Sequence, residues 1–265
     1  MSTTASLALP LPEGRTAAPA LLTMYALETR YEFVKLLRLP HYIIGVLGFP
    51  VMFYLLFGLS FASRGEGPKA SEWLLAGYAV FGAVTAALFA FGVGVSTERA
   101  SGWMLLKQAA PLPTSVYLTA KVLTCMLFAG VIVGILALMG VALGGVQFSA
   151  TAWMQLASSV VFGCVPFCLF GLALGYLIPP AGAPGLVNLI NLPLAFAGGL
   201  WLPYEMLPQL IKAISPFVPQ YHLGRLALSS AGLVSDPALP HIAALAGFTV
   251  VGAACAAIAY RRSEQ

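Results

Sequence analysis

Charged residues are scarce in this sequence of 265 residues: only 8% are Asp, Glu, Lys or Arg, whereas 60% are hydrophobic. Soluble domains carry about 25% charged residues, which help to cover a surface in contact with water. The composition therefore excludes a soluble globular protein. Intrinsic disorder requires low hydrophobicity, so it is excluded as well. We expect an integral membrane protein.

The residue patterns of common enzymatic sites are also missing. None of the three histidines belongs to a His-x-x-His or His-Glu-x-x-His arrangement, so no metal site is predicted. The sequence lacks a Gly-x-x-x-x-Gly-Lys-Ser/Thr phosphate loop, so it cannot hydrolyse ATP with that motif. No nucleophile in a Gly-x-Ser-Gly context is present either. We assign no catalytic residue and expect no cofactor on this chain.

Charge is absent altogether from Val122 to Tyr204, a run of 83 residues. A membrane-spanning helix needs about 20 apolar residues, and clusters of Pro, Gly and polar residues divide this run into three spans. Two apolar segments before it and one after it raise the predicted total to six. The predicted spans are residues 41–62, 73–97, 122–143, 153–178, 186–202 and 241–260.

The positive charges predict the orientation of these spans. With a cytoplasmic N-terminus, nine of the thirteen Lys and Arg residues lie in cytoplasmic segments, as the positive-inside rule requires. An even number of spans then places both termini in the cytoplasm. Residues 1–19 are expected to form a disordered cytoplasmic tail.

Two segments outside the spans are predicted to lie at the membrane surface. Residues 20–39 form an amphipathic helix, which either anchors the first span or provides a platform for a cytoplasmic partner. Residues 203–240 contain two short amphipathic helices, which either dip into the outer leaflet or cap the bundle. The predicted fold is an all-α membrane protein with six transmembrane helices, an N-terminal interfacial amphipathic helix and short re-entrant-type helices between spans five and six.

Two further features have both an ordinary and a functional interpretation. Trp103–Gln108, in the loop after span two, can form a short helix with large apolar residues exposed. This helix either lies on the lipid headgroups or contacts another protein. Asn188 and Asn191 lie in span five, where an amide needs a partner or a wet cavity. They form interhelical hydrogen bonds or line a transport path.

Two stretches resemble motifs of the ABC-2 type transporter permeases, the membrane subunits of bacterial ABC exporters. The first is Glu98-Arg99-x-x-Gly102, followed by Leu106, Pro111 and Lys121. The second is Gly198-Gly199-Leu200-Trp201-Leu202-Pro203, followed by Leu207-Pro208 and Pro216. The resemblance extends over residues 20–265 and includes the order of the interfacial helix, the spans and the long final loop.

This resemblance implies a multi-pass permease in the bacterial inner membrane that dimerises with a second copy or a paralogue. Two copies of a separate ABC ATPase would bind to it, and ATP and Mg would reside on that partner. By resemblance, Trp103–Gln108 would be the coupling helix. The residues that would couple to the ATPase are Glu98, Arg99, Gly102, Trp103, Leu106 and Pro111.

The family's translocation path runs between two protomers, close to spans one, two and five. The candidate path residues are Tyr54, Phe57, Asn188, Asn191, Phe196 and Trp201. Their aromatic and uncharged character favours export of an amphipathic or hydrophobic compound such as a drug, an antibiotic or a lipid-like molecule. A permease for a lipid-linked polysaccharide, a non-transport intramembrane enzyme and a membrane scaffold remain alternatives. No nucleic-acid partner is expected.

Overall fold

The computed structural model describes residues 21–58, 60, 68–103 and 113–263, and no β-strand occurs among them. Nine helices of this part of the chain carry labels here. They are α1 (Leu21–Leu37), α2 (Ile44–Gly58), α3 (Lys69–Ala100), α4 (Thr114–Leu143), α5 (Ala150–Leu177), α6 (Ala183–Ala197), α7 (Gln209–Ile214), α8 (Pro219–Ser230) and α9 (Ala238–Ser263). The all-helical class predicted from the sequence is confirmed.

Four helices within the described ranges, α3, α4, α5 and α9, are long and apolar enough to cross a membrane. They correspond to the second, third, fourth and sixth predicted spans. The first and fifth predicted spans correspond to α2 and α6, which are apolar but only 10–17 residues long. The 15 residues of α6 rise about 22 Å, less than the roughly 30 Å of a hydrocarbon core. The structure therefore confirms four candidate spans, not six.

Local features explain why the helices depart from the predicted bounds. Helix α4 begins at Thr114, before the predicted residue 122, because Lys121 is buried inside it instead of marking its end. Helix α6 stops at Ala197 because Gly199 turns the chain with φ +71°, a conformation that favours glycine. Helix α2 contains two π-helical segments, Ile44–Gly48 and Tyr54–Gly58.

Helix α3 is the centre of the bundle: its most apolar stretch is buried throughout, and it contacts α2, α4, α5, α6 and α8. Two glycines allow α5 to approach it closely. A Cβ atom on Gly171 would lie 2.9 Å from the Phe91 Cβ, and one on Gly175 would lie 2.6 Å from the Phe91 carbonyl oxygen. The Gly171-x-x-x-Gly175 motif is therefore a packing contact within the bundle.

The segment between α6 and α9 folds over one end of the bundle, which we call the cap end. It contains the two short helices α7 and α8, close to the two that the sequence predicted. Helix α8 packs against α3, α5 and α9. The re-entrant position predicted for α7 and α8 relative to a bilayer stays a prediction. The predicted disordered tail, residues 1–19, lies outside the described residues.

Candidate functional site

Helix α1 turns the face that contains Glu32 and Lys35 toward the protein. It packs against α4, with Glu32 and Leu36 buried, whereas Leu22 and Tyr31 are exposed. A helix at a membrane surface ordinarily turns its charges to water. Here Glu32 is paired inside the fold. The exposed residues of α1 include the apolar Leu22 and Tyr31 together with Arg30, and Arg38, directly after the helix, is exposed as well.

This face of α1 contributes Glu32 and Lys35 to an ion cluster of four residues. The other two members are Glu98 and Lys121. Lys121 Nζ lies 2.5 Å from Glu32 Oε1 and 3.0 Å from Glu98 Oε1. Lys35 Nζ lies 2.5 Å from Glu32 Oε2 and 2.6 Å from Glu98 Oε1. Two carboxylates and two ammonium groups thus join α1, the end of α3 and the start of α4. We call this end of the bundle the ionic end.

Because the cluster is largely buried, the ionised state of each member depends on the charges of the others. The Lys121 side chain is 1% exposed and that of Glu32 is 5% exposed, whereas Lys35 is 40% exposed. Burial opposes ionisation of Glu32, but the positive charges of Lys121 and Lys35 outweigh it and hold the pKa of Glu32 below its ordinary value. The Tyr117 hydroxyl also donates to Glu98 Oε2 over 2.5 Å. Each carboxylate has several partners, so losing one lysine leaves charge buried and undercompensated.

Of the predicted coupling residues, Glu98 belongs to this cluster, and Arg99, Gly102 and Trp103 follow it directly along the chain. The Arg99 guanidinium donates to the carbonyls of Gly175 and Tyr176 near the C-terminus of α5. A cation there satisfies carbonyl groups that lack helical partners. Gly102 has φ +71°, so the chain leaves α3 in a turn that favours glycine. Leu106, Pro111 and most of Trp103–Gln108 lie outside the described residues.

Trp103 is the last residue described before that gap, and 49% of it is exposed. Glu98 and Arg99 fix the end of α3 to three other helices, α1, α4 and α5. The segment that begins at Trp103 is therefore attached to a helix end that contacts several helices.

Three of the six candidate path residues line one cavity of about 370 Å³ near the cap end. Phe57 comes from α2, and Phe196 and Trp201 come from α6 and the turn after it. The remaining lining residues, which the sequence analysis did not select, are Phe53, Leu74, Tyr78 and Leu202. We call this space the aromatic cavity.

The aromatic cavity depends on close packing of the turn after α6. A Cβ atom on Gly77 of α3 would lie 2.1 Å from the Leu200 carbonyl oxygen. Trp201 then packs edge-on against Phe81, with ring centroids 5.4 Å apart, and lies near Phe53. The glycine-rich motif Gly198–Pro203 thus has a physical role, since it places the Trp201 ring beside α2 and α3.

The other three candidate path residues do not line the aromatic cavity. Tyr54 is fully buried, and its hydroxyl lies 2.7 Å from Ser71 Oγ. Asn191 is also buried and donates from Nδ2 to Thr85 Oγ1 over 3.0 Å, which joins α6 to α3. Asn188 is half-buried. The interhelical hydrogen bond foreseen for an asparagine in this helix is therefore present at Asn191.

From the sequence, Lys121 was assigned to the motif after span two, but its pairing with Glu32 and Glu98 was not predicted. One signal was available: Lys121 is the last charge before the 83-residue uncharged run, so its burial would require acidic partners from elsewhere. Over the ranges that the structure describes, no group of three or more His, Cys, Asp or Glu residues could hold a metal ion.

The four long apolar helices, packed with the ion cluster and the aromatic cavity, define a multi-pass helical membrane protein. Residues 25–230 match the family model of the ABC-2 type transporter. The chain therefore belongs to the ABC-2 type transporter family. It is also 26% identical over 194 residues to the protein of Bacillus subtilis (strain 168) named "Putative transport permease YvfS", an alignment that covers 73% of this chain and 79% of that protein.

Proposed function

We propose that this chain is the membrane subunit of an ATP-driven exporter in the bacterial inner membrane. Family membership supports the permease role and association with an ABC ATPase. In the proposed assembly, two ATPase copies carry ATP and Mg, and a second permease, identical or paralogous, completes the path. In the proposed topology α2 and α6, although shorter than the hydrocarbon core, complete six spans with the four longer helices, and both termini are cytoplasmic.

The observation that carries this proposal is the attachment of the coupling residues to the ion cluster. Glu98 contacts Lys35 on α1 and Lys121 on α4, while Arg99 contacts the end of α5. ATPase closure would displace Trp103 and the residues after it. Because the end of α3 is held by buried ion pairs, the displacement would reach four helices as a rigid-body movement. Different partner contacts in the two states would drive the change.

The aromatic cavity supports an amphipathic or hydrophobic substrate. Its lining is almost wholly apolar, and Phe57, Phe196 and Trp201 offer ring faces. The Trp201 Nε1 atom is buried and has no hydrogen-bond partner among the described residues. A largely apolar compound matches the lining of the cavity.

Coupling is tested by purifying the permease together with the ATPase encoded beside it and reconstituting the complex in proteoliposomes. Trp103→Ala is expected to reduce both the amount of bound ATPase and the hydrolysis that a hydrophobic substrate stimulates. Phe217→Ala is the matched control, because Phe217 is an exposed aromatic residue at the cap end. Equal coupling in the two variants would contradict the proposed role of Trp103.

The substrate class is tested in the same proteoliposomes with a hydrophobic dye and with an undecaprenyl-linked sugar. We expect the dye to stimulate hydrolysis, and Trp201→Ala to reduce that stimulation without reducing the amount of bound ATPase. Stimulation by the lipid-linked sugar and none by hydrophobic compounds would instead identify a polysaccharide permease.

A further inference from the structure

A second concave surface lies at the cap end, between α5, α8 and α9. It consists of two adjoining pockets of about 660 Å³ and 450 Å³, which share Gln155, Ser229 and Ser230. None of its residues lines the aromatic cavity or belongs to the ion cluster. We call this surface the hydroxyl groove.

Each of the three helices contributes residues at helical spacing to the hydroxyl groove, so the lining is one continuous face from each helix. Helix α5 contributes Gln155, Ser158, Ser159 and Phe162; α8 contributes Leu226, Ser229 and Ser230; α9 contributes Ile242, Leu245, Ala246 and Thr249. Hydroxyl groups on membrane-spanning helices are unfavourable against hydrocarbon unless they have polar partners. Each hydroxyl group in the groove therefore needs a polar partner, which a carbonyl of the protein or a bound ligand can supply.

The hydroxyl groups in the groove already use their protons within the protein. Ser158 donates to the Gln155 carbonyl over 3.0 Å, Ser159 to the Leu156 carbonyl over 2.9 Å and Thr249 to the Leu245 carbonyl over 2.8 Å. Ser229 donates to the Asp236 carbonyl over 2.7 Å. A hydroxyl oxygen that donates still has lone pairs to accept with. The groove is thus a surface of acceptors, and it suits a ligand that carries hydrogen-bond donors.

The polarity of the groove changes along its length. At one end Lys69 and Glu72 both line the opening and provide one charge of each sign. At the other end Phe162, Pro166 and Leu245 form an apolar floor. A ligand with a zwitterionic head and an acyl chain matches this gradient: its phosphate meets the Lys69 ammonium, its ammonium meets Glu72 and the hydroxyl oxygens, and its chain covers the floor.

We propose that the hydroxyl groove binds a zwitterionic aminophospholipid, with a phosphoethanolamine head at Lys69 and Glu72 and an acyl chain along α5 and α9. The primary ammonium is the decisive group, because it supplies the N–H donors that the acceptor surface needs. A phosphocholine head has the same net charge but no N–H donor. A phosphoglycerol head has hydroxyl donors but carries a net negative charge without an ammonium for Glu72.

The test uses the full chain, delipidated in detergent and titrated with phosphatidylethanolamine, phosphatidylcholine or phosphatidylglycerol of matched acyl chains. Bound lipid is counted by native mass spectrometry. The wild-type protein is expected to retain phosphatidylethanolamine about tenfold more tightly than phosphatidylcholine, the factor that one or two net hydrogen bonds provide. Equal retention of these two lipids, or preferential retention of phosphatidylglycerol, would overturn the proposal.

Variants identify the groove as the binding site. Ser229→Ala removes one acceptor from the surface shared by the two pockets and is expected to weaken phosphatidylethanolamine binding several-fold, while Ser229→Thr, which keeps a hydroxyl group, restores it. The matched control is Ser101→Ala, because the Ser101 hydroxyl donates to the Thr97 carbonyl at the ionic end. Glu72→Gln, at the groove opening, is expected to abolish the preference over phosphatidylcholine. Wild-type preference in both Ser229→Ala and Glu72→Gln would place the lipid elsewhere and overturn the proposal.

Discussion

The two ends of the bundle both contain clusters of opposite charges, but they bury them very differently. At the ionic end, Lys121 is 1% exposed and shares two carboxylates with Lys35. At the cap end, Arg225 pairs with Asp236, which is 27% exposed, and with Glu205, which is 70% exposed. Water and salt screen the second group far more than the first. The same ion-pair chemistry should therefore matter much more at the ionic end.

The two ends also differ in what they hold in place. The ion cluster links α1, α3 and α4 directly before the proposed coupling segment, where a rigid connection is useful. The cap end surrounds the aromatic cavity and the hydroxyl groove, where on the proposed function side chains would adapt to a ligand. In that proposal, the buried ion pairs would transmit movement at one end, and compounds would bind near the other.

The largest effect is expected from Lys121→Met. Removing this buried ammonium leaves Glu32 and Glu98 with the half-exposed Lys35 as their one remaining cationic partner among the described residues. Breaking a buried ion pair costs about 3–5 kcal/mol, because the remaining charge stays buried. The free energy of unfolding should fall by about that amount in an SDS titration of the detergent-solubilised protein.

The matched control for that change is Lys212→Met at the cap end. Lys212 donates to the Glu205 backbone carbonyl in an exposed position, so its loss should cost less than about 1 kcal/mol. A double variant, Glu32→Gln with Lys121→Met, should recover part of the lost stability because it removes a stranded carboxylate. Equal losses for the two lysine variants would contradict the contrast between the ends.

A second prediction compares how the two ends tolerate an added methyl group on α5. A Cβ atom on Gly175, at the ionic end, would lie 2.6 Å from the Phe91 backbone oxygen, which cannot move without shifting α3. A Cβ atom on Gly163, which packs against α8 of the cap end, would lie 2.3 Å from the tip of the buried Leu223 side chain, which can shift more easily than backbone. Gly175→Ala should therefore cost about 2–3 kcal/mol, and Gly163→Ala about 1 kcal/mol or less.

Gly134→Ala is the control for both glycine changes, because nothing lies within 4 Å of its added Cβ. It should be neutral or slightly stabilising, since alanine favours a helix more than glycine does. Thermal unfolding of the three variants in the same detergent provides the comparison. If Gly163→Ala were the most destabilising of the three, the cap end would be the more rigid one.

The third prediction concerns acid. The pKa of Glu32 is lowered from 4.5 because the charges of Lys121 and Lys35 outweigh its burial. A carboxylate with a lowered folded pKa stabilises the protein above its unfolded pKa, and this contribution is lost as the pH falls through the folded value. The wild-type melting temperature should therefore drop below about pH 4.5 more steeply than that of Glu32→Gln. The stability that the wild-type protein loses in acid should be smaller than the stability lost in Lys121→Met at neutral pH, because a protonated Glu32 still accepts a hydrogen bond.

These contrasts also show which parts of the fold could be predicted from the sequence. Hydrophobic runs of 20 or more residues identified α3, α4, α5 and α9, because a membrane imposes helix and length together. The ends of the individual helices were harder to predict. The charge of Lys121 suggests a span boundary, yet the fold buries this residue among Glu32, Glu98 and Tyr117. Charge pairing between distant segments has no local signature, so the ion cluster could not be assembled from spacing alone.

The aromatic cavity was predictable only in part for the same reason. Trp201 lies within a glycine-rich motif that resembles the family pattern, and Phe196 lies just before it. Phe57 lies near the end of an apolar run. Each of the three could therefore be selected separately from the sequence. Tyr54 has the same character in the sequence but faces Ser71 inside the bundle. The direction of Tyr54 and Phe57 depends on the π-helical segment Tyr54–Gly58, which shifts the helical register and has no sequence rule.

The smallest effect is expected from Asp236→Asn at the cap end. The hydrogen bond and charge of Arg225 lower the pKa of Asp236, so the carboxylate is ionised at neutral pH. Because the pair is partly exposed, its loss should cost at most about 1 kcal/mol, and the cost should shrink between 0.05 and 0.5 M NaCl as the Debye length shortens. Melting temperatures at the two salt concentrations measure this, with Glu32→Gln as the buried counterpart, whose cost should change little with salt. A salt-insensitive loss in Asp236→Asn, as large as that in Glu32→Gln, would show that water does not reach the cap-end pair and would remove the difference between the ends.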